Sequence, residues 1–87
     1  MRLYQLIVSD GQHKGRYVGK NIFGARINPD LSKTPELRIS GNGHSLFVQA
    51  EAASHFSEWK AVQLKRELNA LGIQVTLEPI RMGRSGP

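Results

Sequence analysis

The chain has 87 residues, with 12 Lys and Arg against 7 Asp and Glu, so its formal net charge is +5. This length predicts one small domain, and the positive charge favours an anionic partner. The chain has no cysteine, which excludes a disulfide framework, a thiolate metal site and a thiol nucleophile.

The first eight residues are too short and too interrupted by polar side chains for a signal peptide, and no small-residue cleavage site follows them. No segment of the sequence is apolar over the length that a bilayer-spanning helix needs. We therefore expect a cytoplasmic protein with no membrane partner.

The segment Leu3–Val8 is almost wholly apolar. Period-two alternation would place Leu6 and Val8 on one face and Leu3 and Ile7 on the other, which is typical of a central strand covered on both sides. A second short strand is predicted at residues 16–18, between Gly15 and Gly19, so that the two strands form a hairpin. Residues 22–27 are a candidate third strand with a bend at Gly24.

Residues 28–35 contain two prolines and are predicted to form a loop. Beyond them, residues 37–40 alternate apolar with polar side chains, residues 41–43 have turn chemistry, and residues 46–50 are again strand-like. This pattern predicts a second hairpin, with a stronger signal than the first.

A helix is predicted to begin after Ser57, whose hydroxyl can cap the free amides, and to end before Gly72. Its core stripe has helical spacing and consists of Ala61, Leu64, Leu68 and Leu71. Residues 73–77 alternate as a final strand, which Pro79 limits. Residues 81–87 are predicted to be a disordered basic tail.

These elements predict an α+β fold: a small antiparallel or mixed sheet of four to five strands, with one helix of the C-terminal half packed on one face and a final strand after it. Residues 1–80 would form the single domain. The sheet face opposite the helix would be partly wet or covered by a partner.

Residues 13–27 are the most informative segment, because basic and aromatic side chains alternate there without a carboxylate between Asp10 and Asp30. Lysine and arginine bind phosphates, and aromatic rings stack on bases. The alternative is a solvated hairpin whose charges only keep the domain soluble. The candidate nucleic-acid-binding residues are Lys14, Arg16, Tyr17, Lys20, Phe23 and Arg26.

Helical spacing places Trp59, Val62 and Arg66 on the side of the predicted helix opposite its core stripe. An outward tryptophan predicts a partner-binding surface. The alternative is that Trp59 folds over the helix start against Phe56 or the long loop, because large aromatic side chains are usually buried.

The sequence predicts no enzyme. Its histidines at 13, 44 and 55 are far apart and have no carboxylate or cysteine at ligand spacing, and no serine lies in a nucleophile-elbow context. The glycines at 11, 15 and 19 match neither the dinucleotide-binding nor the P-loop spacing. We expect no catalytic residue, no metal and no cofactor.

The chain resembles many small uncharacterised proteins of phages and integrated elements. The resemblance rests on the run of residues 53–57, the helix stripe that follows it, and the short hairpin with residues 15–19. This resemblance implies an accessory role, and some proteins of that size are inhibitors of host defence such as anti-CRISPR proteins. Strands before a helix are also similar to the arm-type DNA-binding domain of phage integrases, whose sheet enters the major groove. This chain has an extra strand and lacks the rest of an integrase.

The leading hypothesis is a non-enzymatic module that binds nucleic acid through the basic hairpin. The alternatives are a protein-interaction or inhibitor domain that meets an acidic protein, and a homodimer that forms through a sheet edge and covers Leu3 and Ile7.

Overall fold

Strand β1, Leu3–Val8, is the centre of the sheet in this computed structural model, which describes residues 2–27, 32, 39–41 and 46–80. One edge of β1 pairs along most of its length with β7 (Val75–Pro79). The opposite edge pairs with β2 (Tyr17–Val18) and, nearer the start of β1, with β6 (Phe56–Ser57). Strand β5 (Phe47–Val48) extends the sheet beyond β2, and all these pairings are antiparallel.

Helix α1, Glu58–Ala70, packs on one face of this sheet against β1, β6 and β7. The Ser57 hydroxyl accepts a hydrogen bond from the Lys60 backbone amide at 3.3 Å, which is the predicted cap. Gly72 follows the helix with a φ of 93°, a left-handed conformation that favours glycine. The predicted α+β class, the helix and its core stripe are confirmed.

The hydrophobic core lies between α1 and the face of the sheet that carries Leu6 and Val8. Leu3 and Ile7, on the other face of β1, are only half-buried. The buried core side chains are Leu6, Val8, Val18, Ile22, Leu46, Phe47, Phe56, Ala61, Leu64, Leu68, Leu71, Ile73 and Val75.

The predicted hairpin of β1 and β2 is present, and it contains a β-bulge. The Gly15 amide donates to the Val8 carbonyl at 2.9 Å, while the Val8 amide donates to the Arg16 carbonyl at 2.8 Å. Two residues thus oppose one, and Gly15 has the positive φ, 90°, that the first position of such a bulge requires. Lys14 and Arg16 are the sequence neighbours of Gly15 on either side of this bulge position.

The candidate strand at residues 22–27 is only partly correct. Lys20–Gly24 forms a 3-10 helix that buries Ile22 in the core, and only Ala25–Ile27 forms a strand, β3. The residue types favour an extended conformation here. Burial of Ile22 in the core favours a tight helical turn instead.

The prediction of a second hairpin is wrong in the part of the chain that the structure describes. Strand β4, Ile39–Gly41, pairs with β3 in a separate two-stranded sheet, and β5 pairs with β2. The pairing of β5 places Phe47 beside Val18, and both side chains are buried. Burial in the main core thus decides the partner of β5 over the local turn signal.

Strand β6 was not predicted, and a second 3-10 helix, Ala50–Ala52, precedes it. The predicted loop at 28–35, apart from Ser32, lies outside the described residues. The same is true of residues 36–38 and 42–45 and of the predicted tail at 81–87. Across the described ranges, no helix combines the length and apolar character needed to cross a membrane.

Candidate nucleic-acid interface

The cationic side chains of the basic segment are all exposed. Lys14 lies in the turn between β1 and β2, Arg16 in the bulge, Lys20 at the start of the 3-10 helix and Arg26 in β3. Solvent-exposed lysine and arginine side chains are free to contact phosphate oxygens. The four residues thus meet the first requirement of the predicted interface.

The turn that carries Lys14 is attached to the core through His13. The imidazole of His13 stacks on the buried ring of Phe47, with ring centroids 4.8 Å apart and an interplanar angle of 24°. The Arg16 amide also donates to the His13 carbonyl at 2.9 Å. These contacts give the turn a defined position on the domain.

Tyr17 lies on the sheet face opposite α1. It is the antiparallel partner of Ile7, and paired residues project from the same face. The Tyr17 hydroxyl donates to a carboxylate oxygen of Glu78 in β7 at 3.1 Å. The sequence offered no signal for this contact, because the two residues are 61 positions apart. A carboxylate beside Tyr17 repels a phosphate, so this ring is poorly placed for a nucleic acid.

The hydrogen bond to Glu78 raises the pKa of the Tyr17 phenol above its ordinary value, and desolvation and the charge of Glu78 raise it further. Stability from this bond is therefore present below the pKa of an unfolded tyrosine and is lost as pH rises through the folded-state pKa. We expect an alkaline ultraviolet titration of the wild type to contain a late step from the Tyr17 phenol. Glu78→Ala should lower the pKa of Tyr17 and Tyr17→Phe should remove the late step, whereas a wild type with no late step would contradict the contact.

Phe23 is the exposed aromatic residue of the basic segment, with 64% of its surface accessible. Its ring meets the buried ring of Phe56 at a centroid distance of 5.7 Å and an angle of 49°. Phe56 pairs with Tyr4 of β1, whose face is the one that α1 covers. The Phe23 ring thus packs against the buried Phe56 ring and lies on the side of the sheet opposite Tyr17.

Lys20 and Phe23 project from the same side of their 3-10 helix, because residues three apart eclipse one another in that conformation. Arg16 lies in the bulge just before β2, and its side chain is exposed. The structure therefore places Lys20 and Phe23 together and separates Tyr17 from Phe23.

The outer face of α1 carries the second predicted site. Trp59 is 73% exposed, Arg66 is exposed and Val62 is half-buried. Together with Glu58, Gln63 and Glu67 they line a shallow open depression. Trp59 therefore points outward and is not folded into the core beside Phe56.

Among the described residues, no three His, Asp or Glu side chains come together in a way that could hold a metal ion. Comparisons of the chain with protein-family models, with curated proteins and with solved structures found no match.

Proposed function

We propose that this chain is a small non-enzymatic binding protein that engages single-stranded nucleic acid through Arg16, Lys20, Phe23 and the neighbouring cations Lys14 and Arg26. The observation that carries the proposal is the exposed ring of Phe23, supported by Phe56 and set beside Lys20. The resemblance to phage and mobile-element proteins is consistent with an accessory or regulatory role.

The exposed ring is what favours a single strand over a duplex. A base can stack on an aromatic side chain only when it has left its own stack, and single strands offer such bases without an unpairing cost. Cations on either side of the ring in sequence would meet the phosphates of the same strand. A duplex would use the cations alone.

We expect the full-length protein to bind short single-stranded oligonucleotides more tightly than duplexes of the same length in fluorescence anisotropy at low salt. Phe23→Leu should weaken single-strand binding roughly 5- to 150-fold, the effect of losing a base stack worth ~1 to 3 kcal/mol. It should leave duplex binding unchanged. Leucine keeps an apolar contact with Phe56, so the fold is expected to persist.

Tyr17→Leu is the matched control, because it removes a ring of the same segment on the other face of the sheet. It should leave single-strand affinity unchanged in protein shown to be folded by circular dichroism. An absence of binding to any oligonucleotide at low salt would overturn the proposed function and favour an acidic protein partner. An equal loss of single-strand affinity in Phe23→Leu and Tyr17→Leu would overturn the role of Phe23 but not the proposed function.

A further inference from the structure

The outer face of α1 has the chemistry of an interface. An indole with most of its surface in water is unusual, and tryptophan is the residue type most enriched at binding hot spots. Trp59 lies one helical turn from Val62, and the depression that they line is open. This surface is distinct from the basic segment and is not explained by nucleic-acid binding.

Glu58, Val62 and Arg66 form a row along this face, each four residues from the next. The side chains along the row are therefore acidic, apolar and basic in turn. Glu58 and Arg66 are about 12 Å apart along the helix, given a rise of ~1.5 Å per residue, and so cannot pair with each other within one chain. In the monomer both charges are therefore solvated, and an external partner with the opposite charges could pair with them.

We propose that this face binds a second copy of the same chain through an antiparallel pair of α1 helices. In that arrangement the two rows run in opposite directions. Glu58 faces the partner's Arg66, Arg66 faces the partner's Glu58, and Val62 lies on the two-fold axis. A parallel pair would instead place like charges opposite one another, which is destabilising. The antiparallel pair alone satisfies every member of the row.

Trp59 adds apolar contact at the border of the row. In the antiparallel pair it lies near the partner's Lys65 and Arg66, and the face of an indole attracts such cations. The interface is small, since one short helix contributes it. Interfaces that bury less than about 1,200 Å² are weak and transient, so the dimer forms only at high protein concentration.

Sedimentation equilibrium of the full chain, without nucleic acid, tests this proposal over a concentration series. The wild type should show a monomer–dimer equilibrium. Glu58→Arg alone and Arg66→Glu alone should each weaken self-association at least about tenfold, because each puts like charges opposite one another. The two single variants mixed in equal amounts should form a heterodimer, since their rows are then fully complementary.

Glu51→Arg is the matched control, because it makes the same charge change at an exposed site outside α1. It should leave the equilibrium unchanged. Glu58→Gln and Arg66→Gln give milder versions of both changes should a charge reversal unfold the helix. A wild type that stays monomeric at the highest soluble concentration would overturn the proposal, as would single variants that dimerise normally or a mixture that stays monomeric.

Discussion

Leu68→Ala is expected to lower the free energy of unfolding by roughly 2 to 5 kcal/mol, the range for truncating a buried leucine. Leu68 is only 1% exposed and lies in the core between α1 and the sheet. The loss combines apolar burial with the cavity that the missing side chain leaves. For so small a domain this is a large share of the total stability, and urea denaturation should show it as a lower midpoint.

Trp59→Ala, on the opposite side of the same helix, is expected to leave the thermal midpoint nearly unchanged. Its side chain makes little core contact in the folded monomer. The same variant should weaken self-association, because an aromatic anchor contributes strongly to an interface. Equal destabilisation by Trp59→Ala and Leu68→Ala would show that the indole is part of the core, and both the helix surface and the proposed dimer would then be wrong.

The second large effect concerns the charges of the basic segment. Converting Lys14, Arg16 and Lys20 to Gln should weaken binding to a single-stranded oligonucleotide more than about tenfold at low salt, because three phosphate contacts and their counterion release are lost. The dependence of log affinity on log salt should become shallower by about 2, at ~0.7 per phosphate on a single strand. Anisotropy titrations at several salt concentrations measure both quantities.

Neutralising Arg2, Lys60 and Lys65 provides a control with the same change in net charge at other positions. If the basic segment is the interface, this variant should keep most of the affinity and most of the salt dependence. Equal weakening by the two triple variants would indicate that only the overall charge attracts the oligonucleotide, and would contradict a localised interface.

Local sequence signals were enough for the elements whose residues settle their own conformation. The almost wholly apolar run Leu3–Val8 predicted the central strand with the observed bounds. Helix α1 follows from a capping serine, a periodic stripe and a terminating glycine, all within one short segment. Each of these signals acts over a few residues, and packing in the core stabilises the same conformation that the local chemistry favours.

Strand partners were harder to predict, because pairing depends on residues distant in sequence. The turn residues between β4 and β5 favoured a hairpin, yet β5 gains more by placing Phe47 beside Val18 in the main core. Strand β6 has only two residues and no alternation to detect. The 3-10 helix Lys20–Gly24 is explained by the burial of Ile22. The residues next to Ile22 in the sequence do not predict that burial.

For the candidate sites, the sequence by itself determined which chemistry is present: a cationic segment with aromatic residues, and an outer helix face with a tryptophan. Only the tertiary structure decided which side chains share a surface. It brings Glu78 to the Tyr17 hydroxyl and Phe56 behind Phe23, so the two aromatic residues of one segment lie on opposite sides of the sheet. Side-chain direction depends on strand register and on the core beneath it, and both are set by contacts between distant parts of the chain.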